Sequence, residues 1–143
     1  MLKTPGIKRR WLESWDGWEL GRTIVVFAAI LYGGIWLQMT LFHWAAAFRR
    51  WEMLPPVLLT PAIIVLALIG AVEREGIAGY VALGGLVLGV LEGTAGLFFH
   101  VRGALAQVGG VSVRNFMAGP PPVLPLAYAL TGVLGLTGLL WDA

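Results

Sequence analysis

Four long apolar runs separated by short polar breaks organise this chain. They cover about residues 23–48, 56–73, 77–101 and 122–141. A helix needs roughly 20 mainly apolar residues to cross about 30 Å of hydrocarbon, so each run is read as a spanning helix. The first is long enough to tilt or to extend past the lipid. Pro55 and Pro56 open the second run, at a helix start where a missing N–H is harmless. Pro61, one turn further on, is expected to kink it, and Pro125 stands at the mouth of the fourth.

The polar breaks set the connections. "EREG" (73–76) between the second and third runs is short enough to force an antiparallel pair. The only sizeable loop, about residues 102–122, carries Gly109–Gly110, Asn115 and the Pro120–Pro122 run. It reads as a connector on the membrane surface, with a lid over the histidines or a docking surface as the functional alternatives. Nothing remains from which a sheet could be built. The expected fold is all-α: an integral membrane four-helix bundle, one transmembrane domain over 1–143, preceded by an amphipathic interfacial helix at about 9–21. In that leader Trp11, Trp15 and Trp18 recur at i, i+4 and i+7 on one face, which suits the headgroup zone or a partner subunit.

Composition strengthens the membrane reading. The chain is 58% apolar and only 13% charged, with a mean hydropathy of +0.80. Soluble domains carry roughly 25% charged residues, and a small globule could not hide so much apolar surface. With a net charge of +2 and no concentrated basic patch, nucleic acid is not an expected partner. The absence of cysteine excludes disulfides, thiol catalysis and cysteine-ligated metal centres. With four spans both termini share a side. Lys3, Lys8, Arg9, Arg10, Arg22 and Arg74 fall there, against Arg49, Arg50, Arg102 and Arg114 opposite, which favours cytoplasmic termini in an inner membrane. The first run exceeds the length of a signal-peptide core and is read as retained.

The chemistry concentrates in "LEGTAGLFFHVRG" (91–103), where an acid interrupts an apolar helix. Ala82, Gly85, Gly89, Glu92, Gly93, Gly96 and His100 recur at three- and four-residue spacing, a small-residue ridge of the kind that lets helices approach closely. Matching strips are Tyr128, Thr131, Gly132, Gly135 and Gly138 on the fourth helix, and Ala29, Gly33, Trp36, Thr40, His43 and Ala47 on the first. Glu92 is therefore expected on the packed side, neutral or partnered, with Tyr128 and Thr131 as its candidate partners. As interhelical glue it holds the bundle; as the alternative it serves a proton or cation relay. His100 lies eight residues beyond Glu92 in the sequence, about 12 Å along a helix axis, too far for direct contact.

His43 ends the first run and His100 the third, so both are expected at one level near the non-cytoplasmic boundary. Two neutral imidazoles there could ligate a haem b iron, or one could hold another tetrapyrrole's metal, with Arg102 and Arg114 pairing with propionates. A mononuclear metal site on the same histidines lacks a correctly spaced third ligand. No nucleophilic triad, phosphate loop or soluble cofactor fingerprint is present, so the chain is not expected to be an enzyme. The reading is a non-catalytic anchor or accessory subunit of a larger inner-membrane complex, redox or photosynthetic in type by analogy of helix count and histidines alone. The alternatives are a haem-binding electron-transfer subunit, and a small oligomeric proton-coupled carrier or channel centred on Glu92. Expected partners are the lipid bilayer and other membrane subunits or further copies of the chain.

Overall fold

The computed structural model describes residues 19–118 and 121–141. Trp11, Trp15, Trp18 and the start of the expected interfacial helix lie outside the described residues. The fold is all-helical, with no strand among the described residues. Its elements are α1 (Leu20–Ala45), a short 3-10 turn (Trp51–Met53), α2 (Leu54–Val72), α3 (Gly76–Leu105), α4 (Val113–Ala118) and α5 (Val123–Leu139). The helical stretch Trp51–Val72, α1 and α3 are each long and apolar enough to cross a membrane; α5 is a shorter apolar helix.

Helix α1 packs against α2 and α5, and α3 packs against the same two. The four therefore form a ring in the order α1–α2–α3–α5, with α1 and α3 on one diagonal. Small residues permit this closeness. A Cβ on Gly93 would strike the backbone and Cβ of Ala129 on α5, so only glycine fits there. Tyr32 reaches across the diagonal from α1 and is fully buried, with its hydroxyl in a slot between Gly89 of α3 and Gly132 of α5. Its ring meets Tyr128 edge-on, centroids 4.7 Å apart at 68°, the arrangement aromatic quadrupoles favour.

Three features differ from the sequence expectations. Helix α1 ends at Ala45, not near Phe48, because Ala47 (φ 54°) and Phe48 (φ 46°) enter the left-handed region. Apolar residues continue through this turn, so hydropathy does not mark it. Phe48 N–H donates to the His43 carbonyl at 3.0 Å and closes the helix end. Gly33 lies in open space, so the expected α1 strip is not continuous. Helix α3 extends to Leu105, past the expected Val101.

Helix α2 runs through Pro61 to Val72. Proline has no N–H, which deprives the Val57 carbonyl of its helical donor. Trp36 of α1 supplies a replacement, its Nε1–H donating to Val57 O at 2.8 Å. Trp36→Phe is therefore expected to lower stability by about 1–2 kcal/mol, and adding Pro61→Ala should recover most of the loss by restoring the helical donor. Unfolding in mixed detergent micelles, followed by circular dichroism, compares the two variants. Equal instability of the single and double variants would contradict this role for Trp36.

One end of the ring is tied shut. Arg22, only 4% exposed, donates from Nε to the Ala71 carbonyl at 2.7 Å. Arg74 in the α2–α3 turn donates to Trp141 O at 2.6 Å and pairs with Glu19 at 3.2 Å. These bonds join the start of α1, the end of α2 and the end of α5. Toward the opposite end, where the contacts between helices include Trp36 on Val57 O and His100 on Pro121 O, the helices part around a cavity.

Candidate functional site

The parting leaves a cavity of about 270 Å³ between the far halves of α1 and α3, flanked by the starts of α2 and α5. Two reasons for the space are visible in the sequence. Gly93, Gly96 and Gly103 on α3 present no side chain to it, and Pro121 and Pro125 bring the chain into α5 beside it. Met39, Phe42, Met53, Phe99 and Leu124 form the apolar wall.

Polar groups enter this wall at two levels. The inner level is a hydroxyl–carboxyl chain drawn from three helices. Tyr128 OH on α5 contacts Glu92 Oε2 on α3 at 3.0 Å, and the same hydroxyl contacts Thr60 Oγ1 on α2 at 2.7 Å. Thr60 Oγ1 also bonds the Pro56 carbonyl one turn back in its own helix. Glu92 Oε1 is buried without a hydrogen-bond partner among the described residues. Thr131 does not join them; its hydroxyl turns back to the Ala127 carbonyl at 2.8 Å.

The outer level holds both histidines. His43 and His100 line the same cavity. His100 Nδ1 lies 3.3 Å from the Pro121 carbonyl, an acceptor, so that nitrogen would carry the proton in this contact. His43 Nδ1 is buried and makes no hydrogen bond of good geometry among the described residues, and its ring stands 6.3 Å from that of Phe48. Arg50 and Glu52, paired at 3.2 Å, and Gln107 complete the polar rim. Among the described residues no three His, Asp or Glu side chains cluster to hold a metal ion. The two histidines thus stand without a third protein ligand.

Several sequence expectations change at this point. Arg102 and Arg114 are both exposed and do not line the cavity; Arg50 occupies the rim instead. Helix α3 carries Arg102 on the far side of its last turns from the cavity. Loop residues 108–118 do not roof the site either. Asn115 holds that loop to itself, donating to Val108 O and Gly110 O at 3.3 and 2.8 Å, and among the described residues of the connection Gln107 and Pro121 touch the cavity. The ridge residues Gly85, Gly89, Gly93 and Gly96 face Leu66, Tyr32, Ala129 and Pro125 of this same chain.

No family model, no curated protein and no solved structure matches this chain.

Sequence reasoning passed over Thr60 and the Arg50–Glu52 pair. For Thr60 a signal existed: a hydroxyl one turn after Pro56 and directly before Pro61, inside a run otherwise wholly apolar.

Proposed function

We propose that this chain is a non-catalytic, four-span inner-membrane subunit that holds a small molecule on behalf of a larger assembly. The observation that carries this is the cavity itself, apolar in its wall with a few convergent polar groups, the usual composition of a small-molecule site. Its volume of about 270 Å³ falls near the lower end of the roughly 300–1,000 Å³ of such sites. The apolar run of α5, though the shortest, completes the spans if the membrane is locally thin or its flanking residues reach the interface. The turn between α2 and α3 is short, and the described residues are mostly helix, which suits a subunit that packs among membrane partners.

A second reading has one observation in its favour. His43 and His100 come to a single cavity from the two diagonal helices, as axial haem ligands would. The modest volume and the exposed positions of Arg102 and Arg114 weigh against a macrocycle with propionates. A carrier or channel within one copy is disfavoured by the Tyr32–Tyr128 pair and the arginine ties, which block the route beyond Glu92.

Purification in mild detergent, followed by mass spectrometry of an organic extract and a visible spectrum, separates these readings. The expected result is a colourless small molecule in near-stoichiometric amount, reduced severalfold in Gly103→Phe. Gly103 lines the cavity yet has nothing within 4 Å of where its Cβ would stand, so a larger side chain fills space without a clash at its base. A Soret band abolished by His100→Ala would replace this reading with the haem one. Equal and empty extracts from wild type and Gly103→Phe would remove it.

A further inference from the structure

The donors and acceptors of the inner chain limit what kind of molecule the cavity receives, given the binding reading above. Each hydroxyl carries one hydrogen, so the three contacts Glu92–Tyr128, Tyr128–Thr60 and Thr60–Pro56 can be filled together in only one direction. In that direction Thr60 donates to the Pro56 carbonyl, Tyr128 donates to Thr60, and a protonated Glu92 would donate from Oε2 to Tyr128, the reverse of the carboxylate form in which Tyr128 donates to Oε2. In that order Glu92 is a carboxylic acid and no cation is needed beside it. Reversing the order makes Glu92 a carboxylate that accepts from Tyr128, while Thr60 turns from Pro56 to Tyr128.

One atom behaves alike in both orders. Glu92 Oε1 remains an acceptor, and it is buried with no donor among the described residues. A buried acceptor left unpaired costs about 1–3 kcal/mol, so a donor delivered by a ligand would be favourable. A charged head would first have to shed its hydration, a penalty of several kcal/mol per ion. At the outer level Arg50 and Glu52 are engaged with each other, and the two histidines would oppose an entering cation when protonated. Glu92 would oppose an anion as a carboxylate, and as an acid its free Oε1, an acceptor, offers an anion no donor. The path inward is otherwise walled by Met39, Phe42, Phe99 and Leu124, and Phe42 and Phe99 are also exposed on the apolar surface.

We propose that the cavity takes an uncharged amphipathic molecule that enters polar end first and donates an O–H or N–H to Glu92 Oε1. The separation of Glu92 from His100, eight residues or about 12 Å along α3, is the depth available to its apolar part.

Three probes of equal chain length test this: 1-decanol, decylammonium and decanoate, each equilibrated with the protein in nanodiscs, with empty nanodiscs as the baseline. Decanol is expected to bind about tenfold more tightly than either ion. Glu92→Gln should retain decanol binding, because its amide nitrogen can donate to Tyr128 while its oxygen accepts from the ligand. Glu92→Leu should lose about tenfold, the factor corresponding to one hydrogen bond of roughly 1.4 kcal/mol. Gly103→Phe should weaken all three probes. A preference for decylammonium that vanishes in Glu92→Gln would overturn the uncharged-donor assignment and leave the cavity as a binding site. No binding of any probe above baseline, with Gly103→Phe indistinguishable from wild type, would overturn both.

Discussion

Gly93→Leu should unfold at much lower denaturant than the wild type, with a loss of about 3 kcal/mol or more. Overpacking a tight interior typically costs about 1–3 kcal/mol because neighbours shift to make room. Here the obstructing atoms are the backbone N and Cα of Ala129, which cannot rotate aside as a side chain would. The helices α3 and α5 would have to separate, and separation also loosens the Tyr32 slot formed by Gly89 and Gly132. Gly84→Ala on the same helix supplies the contrast. Nothing stands within 4 Å of its Cβ position, so the change should be neutral or stabilise by up to about 1 kcal/mol through helix propensity. Reversible unfolding in mixed micelles measures both. Similar behaviour of the two variants would mean that α3 and α5 do not approach as closely as described.

The second large effect is expected from Tyr128→Phe. Removing one oxygen leaves Glu92 Oε2 and Thr60 Oγ1 without the partner they share, at 2 % exposure for the tyrosine. The loss should be about 2 kcal/mol. Thr60→Val alone should cost less, since Tyr128 can still bond Glu92. The double variant should fall short of the summed losses by about 1 kcal/mol, because contacting members of one network are coupled. Additive losses would show that the three groups act separately, and the directional chain would then not exist. Infrared difference spectroscopy between wild type and Tyr128→Phe offers a second readout: the Glu92 carboxyl C=O stretch should move when its partner is removed.

The architecture was largely legible in the order of residues, and the chemistry only in part. The runs at 56–73 and 77–101 became α2 and α3 with ends shifted by a few residues, since apolar length is a property each segment carries alone. The small-residue spacing put Glu92 on the same face as Gly85, Gly89 and Gly93, and that face is the packed one. The end of α1 was not legible, because two non-glycine residues with positive φ leave no mark in hydropathy. Nor was the role of Arg22. By sequence it is one more charge near a membrane boundary; in the fold its guanidinium is buried against the end of α2.

By its sequence alone, this chain is committed to helices, to apolar exteriors suited to lipid and to one acid inside a glycine-lined ridge. Those properties follow from local periodicity and from how many apolar atoms each residue carries. Tertiary structure decided that Thr60 joins Tyr128 and Glu92, that His43 and His100 line one cavity, and that Arg50 rather than Arg102 or Arg114 stands at its rim. Such partnerships depend on the rotation and relative height of whole helices. Those are fixed by close contacts such as Gly93 on Ala129, between residues 36 positions apart, and no local pattern encodes them.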